Sequence, residues 1–323
     1  MNLAHVHLLL NHVPTVGAAI AIALLIIALL RKNDELKRVA FEVFFVVALL
    51  TIPAYLSGVS AEKQIKDRDG VSLMMISAHE SAAVTSLVLM QLAGAFAWFG
   101  LWKFRRTARW GQTTMYALLL LSALTLAVTA RTANLGGEIR HPEILATDGT
   151  TSTEEAIAAV EQALASDPAW IDARGIGRWV TDRTWIWPSA EALHFIGLWL
   201  IFGVILVVNL RLLGFMPSLP FSAVHRLLPW AALGFALNTV TGMMFVIATP
   251  DQYADNISFF AKIGLLMIAG LSLLYSTVFE GPWHVGAGDR PPLRVKLAGA
   301  SAILGWAGVM YFGRMLPFIG NAF

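Results

Sequence analysis

Apolar residues fall along this chain in eight long blocks, each separated from the next by a stretch rich in charge, glycine or proline. The blocks cover residues 8–30, 39–57, 73–98, 113–132, 189–210, 227–248, 259–279 and 297–315. A run of about 20 apolar residues matches the hydrocarbon thickness of a bilayer when wound as a helix. Backbone polar groups find no partner in lipid, so such runs are expected as helices rather than loops or open sheet. The pattern therefore predicts an all-α, polytopic membrane protein with eight transmembrane helices.

The connecting stretches alternate in charge. Arg31, Lys32, Lys37 and Arg38 follow the first block, and Lys103, Arg105, Arg106 and Arg109 follow the third. Arg211 and Arg226 flank the turn after the fifth, and Arg290, Arg294 and Lys296 precede the eighth. Basic residues collect on the cytoplasmic side, which predicts both termini outside. The first block lacks a basic residue before it and a small-residue cleavage site after it, and is expected to be retained as a span. A bacterial inner membrane is the expected location.

Residues 133–188 form the longest polar segment and divide the spans into two sets of four, expected as two four-helix bundles. This gives an N-terminal membrane domain at 1–145, a periplasmic or interfacial linker at 146–188 and a C-terminal membrane domain at 189–323. Within the linker, Ser152-Thr153-Glu154-Glu155 is a capping-box pattern that opens a short helix through Ala165. Ala156, Ile157, Val160 and Leu164 give that helix an apolar stripe, and Trp170, Trp179, Trp185 and Trp187 follow it. These features predict a segment lying along the membrane interface, or a docking surface for a soluble partner.

Composition supports the membrane reading and narrows the chemistry. The chain is 57% hydrophobic and 14% charged, against about a quarter charged in ordinary soluble domains. The net charge of +2 gives no reason to expect nucleic acid. Cysteine is absent, which excludes covalent c-type haem, iron–sulfur clusters, thiolate metal sites and disulfides.

Histidine placement is the most informative chemical feature. His12, His79 and His194 fall a few residues from the outer ends of the first, third and fifth blocks. At ~1.5 Å of rise per residue, the three side chains are expected at one depth near the outer edge of the hydrocarbon. His5, His7 and His141 are expected just above them, whereas His225 and His284 lie in cytoplasmic stretches with surface roles. Ionisable residues within spans are costly and mark functional sites. Neutral imidazole ligates haem iron, copper and zinc, so His7, His12, His79 and His194 are the candidate metal ligands.

Arg131 and Arg140 flank Gly136-Gly137, and either arginine can pair with haem propionates or snorkel. Glu191 and His194 share a helix face at a spacing that allows a hydrogen bond. Lys262 sits near the outer end of the seventh block, where it can snorkel or meet an anion. Asn209 and Asn238 are expected to bridge helices.

Two stretches carry family resemblances. His7-Leu8-Leu9-Leu10-Asn11-His12-Val13-Pro14, the lone His79 and Gly136-Gly137 resemble a bacterial four-helix membrane domain of unknown function that covers residues 1–145. That resemblance implies b-type haem binding, with His7, His12 and His79 as ligands. Leu193-His194-Phe195-Ile196-Gly197, the stretch from Asn209 to Gly214 and Leu228-Pro229-Trp230 resemble a second uncharacterised four-helix family. Asn209 stands there in place of an expected Asp.

The leading expectation is a b-type cytochrome carrying one or two haems near the periplasmic face. It would be an electron-transfer subunit rather than a stand-alone enzyme. His12 and His79 would ligate one haem, and His194 with His7, His5 or His141 a second. The expected partners are membrane lipid, a periplasmic c-type cytochrome or other redox subunit, and quinone. A metal-ion transporter with a periplasmic His entry site, or a cofactor-free membrane anchor, are the alternatives.

Overall fold

The structure is a computed structural model that describes residues 3–68, 70–145, 152–166, 169 and 171–319. Every regular element among the described residues is helical. Eight of the helices are long and apolar enough to cross a membrane. They are α1 (Ala4–Leu30), α2 (Asp34–Ile65), α3 (Leu73–Thr107) and α4 (Gln112–Arg140), then α7 (Ile186–Leu213), α8 (Phe221–Ala248), α9 (Ile257–Val278) and α10 (Leu293–Met315). Two shorter helices, α5 (Thr153–Ser166) and α6 (Ala173–Thr181), lie between the two sets. Trp170 falls outside the described residues.

Most spans extend beyond their apolar blocks because the flanking polar residues are good helix starters. The Asn33 side chain accepts a hydrogen bond from the Leu36 amide at 2.9 Å, and Asp34 and Glu35 occupy the first turn of α2. A short polar cap and early acidic charge satisfy the free amides of a helix N-terminus. At α5 the expected capping box forms in both directions. The Glu155 amide donates to Ser152 Oγ at 3.2 Å, and the Ser152 amide donates to Glu155 Oε2 at 3.1 Å.

Proline explains two irregularities. Pro14 cannot donate to the Leu10 carbonyl, so the hydrogen-bond ladder of α1 is interrupted near Asn11 while the backbone there stays helical, with φ −59° and ψ −28°. Pro229 likewise leaves the His225 carbonyl without its helical donor. That oxygen accepts from the Leu228 amide in a 3₁₀ turn and from Trp102 Nε1 at 3.3 Å.

The chain divides into two compact units, Met1–Gly100 with Trp110–Ile176, and Leu101–Arg109 with Gly177–Phe323. In the first, α1 packs on α2 and α4. The Gln91 amide of α3 donates to the Ala48 carbonyl of α2 at 2.7 Å. Ser86 of α3 bonds Thr132 of α4 at 3.1 Å. Ala18, Val47, Ala48 and Met90 form a buried cluster at the centre. In the second unit, α8 and α10 pack on α7, and α10 packs on α9. The linker does not stand apart. Glu161 of α5 accepts from Ser72 at 2.5 Å in the first unit, while the Trp187 ring packs tilted against Phe245 at 4.8 Å in the second.

Small residues set the helix spacing. A Cβ on Gly94 would stand 2.3 Å from Ala48 Cβ, and one on Gly197 would stand 2.9 Å from the Gly234 carbonyl. Overpacking of this kind costs about 1–3 kcal/mol. Gly94→Val is expected to lower the midpoint of thermal unfolding in detergent by several degrees, read by intrinsic tryptophan fluorescence. An unchanged midpoint would show that α2 and α3 do not meet there.

Polar groups within the spans are mostly satisfied locally. Thr51 donates to the Val47 carbonyl, Thr85 to Ser81 and Thr125 to Leu121, each four residues back on its own helix. Large apolar side chains such as Leu120, Trp199 and Leu304 point outward, with exposures of 76%, 75% and 70%. Apolar surface of this extent is what a bilayer covers.

Candidate functional site

Three histidines share one construction. His7 of α1 places Nδ1 3.0 Å from the Ala54 carbonyl and 3.3 Å from Ser57 Oγ, both on α2. His79 of α3 places Nδ1 2.9 Å from the Thr132 carbonyl of α4. His194 of α7 places Nδ1 2.8 Å from Thr241 Oγ1 of α8. A carbonyl only accepts, so Nδ1 of His7 and His79 carries the proton. The Thr241 hydroxyl donates its single hydrogen to the Leu237 carbonyl at 2.8 Å, so it accepts from His194 Nδ1–H. In all three, Nε2 is left as the lone-pair nitrogen, the form that binds a metal.

A glycine stands beside each ring. A Cβ on Gly58 would come within 3.1 Å of His7 Cε1, one on Gly136 within 3.0 Å of His79 Cε1, and one on Gly242 within 3.5 Å of His194 Cε1. In the first unit the anchoring carbonyl and the glycine are four residues apart, Ala54 with Gly58 and Thr132 with Gly136. Residues at that spacing stack on one helix face. One turn of helix thus supplies both the acceptor and the space for the ring. The His7 and His79 imidazoles are also close enough to interact electrostatically.

The other expected ligands lie elsewhere. His12 and His5 are exposed; five residues from His7 on a continuous helix, His12 falls on a different face. His141 is exposed and pairs with Glu143 at 3.0 Å. A backbone hydrogen bond of Glu143 itself, followed by the bond from His141, holds that carboxyl below the usual carboxylate range. Arg131 and Arg140 are exposed at the end of α4. Glu191 is exposed, and Thr241 rather than Glu191 orients His194. His225 differs most from expectation. It is fully buried between Phe221 and Trp283, at ring distances of 5.4 and 4.6 Å, instead of lying at a surface.

Among the described residues, no group of three or more His, Asp or Glu side chains is placed to hold a metal ion. The histidines of the first unit could each offer one imidazole nitrogen to a group that needs few ligands from the protein. Haem b is such a group. The donor set fits it, with two neutral imidazoles of fixed tautomer and a glycine beside each in place of a bulkier side chain.

Glu80, next to His79 in sequence, faces Arg174 of α6 at 3.8 Å. In the second unit, Phe245 lies 5.8 Å from the His194 ring, and the imidazole is within electrostatic reach of Lys262. Tyr253, between α8 and α9, has its hydroxyl pushed up to about 12 by burial and then by the nearby Glu191 charge, so it stays neutral.

The fold places the chain in the class of multi-pass helical membrane proteins. No family model, no curated protein and no solved structure matches it.

The residues that sequence reasoning passed over are the acceptors and spacers: Ala54, Thr132, Thr241, Gly58 and Gly242. A carbonyl acceptor leaves no trace in residue identity. The glycines do, since each interrupts an apolar helical block where larger residues are otherwise preferred.

Proposed function

We propose that this chain is a b-type membrane cytochrome in which His7 and His79 would hold one haem. The observation that carries the reading is the shared arrangement of those two imidazoles. Each has Nδ1 tied to a main-chain carbonyl, Nε2 free and a glycine at its edge. When bound, haem supplies one-electron redox chemistry. The protein fixes the tautomer and orientation of each imidazole through the Ala54 and Thr132 carbonyls, which raises ligand basicity. The packing pairs of the first unit, α1 with α2 and α4, and α3 with both, support a four-helix bundle around this site.

The charge pattern of the loops supports an inner-membrane orientation with both termini and His7 and His79 toward the periplasm. A periplasmic c-type cytochrome or another redox subunit is the partner that such a site would serve. A transport path is disfavoured, because the span hydroxyls bond back to their own helices rather than lining a polar channel.

The direct test is the visible spectrum of detergent-purified protein before and after dithionite. Sharp α and Soret bands of a low-spin b-type haem are expected, at one haem or more per chain. Protein that is folded and haem-free after expression with haem supplied would refute the proposal.

A further inference from the structure

We infer that an anionic phospholipid binds by its phosphate at the basic end of the second unit, on the seam between α7 and α10. These two helices pack directly. A Cβ on Gly299 of α10 would stand 3.0 Å from Leu212 Cβ and 3.1 Å from the Asn209 carbonyl, both on α7. Nearer the start of α10, Lys296 lies across the seam. The point that a Cβ on Gly214 would occupy, just past the end of α7, is 3.9 Å from Lys296 Cε. The same point is 3.6 Å from Pro291 Cδ, so the turn before α10 rests against the turn after α7. Arg290 is exposed on the turn before α10, and Arg294 on the first turn of that helix.

The charge at this seam is unbalanced. Arg290, Arg294 and Lys296 have no carboxylate partner among the described residues. The two acidic side chains between α9 and α10 are already engaged. Glu280 takes Arg105 through two bonds of 2.6 Å, and Asp289 Oδ2 accepts from the Gly286 amide at 2.9 Å. Next to Arg290 in sequence, the Asp289 carbonyl accepts from the buried Arg211 at 3.3 Å. Arg211 meets only main-chain oxygens and its Nη1 has no partner, so its charge also goes unneutralised. Pro292 opens α10 without a side-chain cap, and the start of a helix adds positive potential of its own. Basic pockets beside membrane helices suit anionic lipid headgroups. Apolar surface runs on from the charges, as acyl chains require. At about 3.6 residues per turn, Leu293, Leu297, Leu304 and Tyr311 fall on one face of α10, and all four are exposed. Arg294 flanks that face on one side and Lys296 on the other, and the exposed Phe215 adds apolar surface past the end of α7. A soluble anion would leave this stripe unused, whereas a phospholipid covers both parts.

The test titrates the delipidated full chain, in a neutral detergent, with phosphatidylglycerol and with phosphatidylcholine of the same acyl chains, reading lipid-bound species by native mass spectrometry. Phosphatidylglycerol is expected to bind more tightly. A basic side chain near an anionic headgroup contributes about fivefold in affinity. Arg294→Gln and Lys296→Gln should each weaken phosphatidylglycerol binding by that factor, and the double variant by about 25-fold if the charges act independently, with phosphatidylcholine unaffected. Lys37→Gln is the control, since Lys37 is a basic loop residue already paired with Asp34 at 2.8 Å, and it should leave both titrations unchanged. Equal binding of the two lipids to the wild type would overturn the site. So would a loss in Lys37→Gln as large as in Lys296→Gln, which would spread the preference over every basic loop. A large excess of inorganic phosphate should leave phosphatidylglycerol bound. Its displacement would identify a site for the free anion and overturn the lipid assignment.

Discussion

Alanine at His79 is expected to lower haem occupancy of the purified protein at least tenfold, and alanine at His7 to do the same. Loss of a partner that merely orients a ligand weakens metal binding by about 10–100-fold, and removal of the ligand itself is at least as severe. His12→Ala is the informative control. His12 is five residues from His7 on a different face of α1, and its side chain is exposed. It should keep the haem content and band positions of the wild type. Gly136→Val tests the same geometry from the other side. Its branched carbon would enter the space 3.0 Å from His79 Cε1, pushing the ring from its acceptor without removing the ligand, and a shifted or broadened spectrum with reduced occupancy is expected. If His12→Ala loses haem and His79→Ala keeps it, the ligand assignment is wrong.

The largest effect on stability is expected at Arg211. This side chain is completely buried, yet the oxygens that meet it are main-chain. Nε donates to the Leu219 carbonyl, and one terminal nitrogen donates to the carbonyls of Gly286 at 2.7 Å and Asp289 at 3.3 Å. The guanidinium therefore ties the turn after α7 to the turn before α10. Gly214 and Gly288 allow those turns by adopting φ of 106° and 87°, a region that L side chains avoid. Hydrogen bonds from a charged donor contribute about 1.5–3 kcal/mol each. Arg211→Leu removes the guanidinium donor from the Leu219, Gly286 and Asp289 carbonyls, of which Gly286 keeps the Asp289 amide at 3.3 Å, and should destabilise the second unit by about 3 kcal/mol or more. A fall of many degrees in the unfolding midpoint is expected, with haem bound at His7 and His79 unaffected until the chain unfolds. A midpoint within a degree of the wild type would refute this role.

All eight spans were legible from hydropathy because lipid imposes length and apolarity on a helix regardless of what it packs against. Their ends were less legible. Asp34, Glu35, Glu62 and Lys103 read as loop residues, yet they lie in helix that continues beyond the apolar block. Gly136 and Gly137 suggested a closing turn, and the helix instead runs on to Arg140. The outer-edge histidines were found from their depth alone, but depth does not specify rotation. Of the two histidines on α1, His7 faces α2 and His12 is exposed, a difference that follows from their five-residue spacing around the helix. The burial of His225 was equally hidden. Its neighbours Phe221 and Trp283 are far apart in sequence, and a basic short loop looks like a surface.

The bonds that aim His7 and His79 end on peptide oxygens, and every amino acid carries one. Sequence drift at positions 54 and 132 can therefore proceed without disturbing the imidazoles, while a side chain at position 58 or 136 would press on a ring at 3.1 or 3.0 Å and shift it. Among distant descendants of this chain, the lasting trace of the site would be two histidines and two glycines.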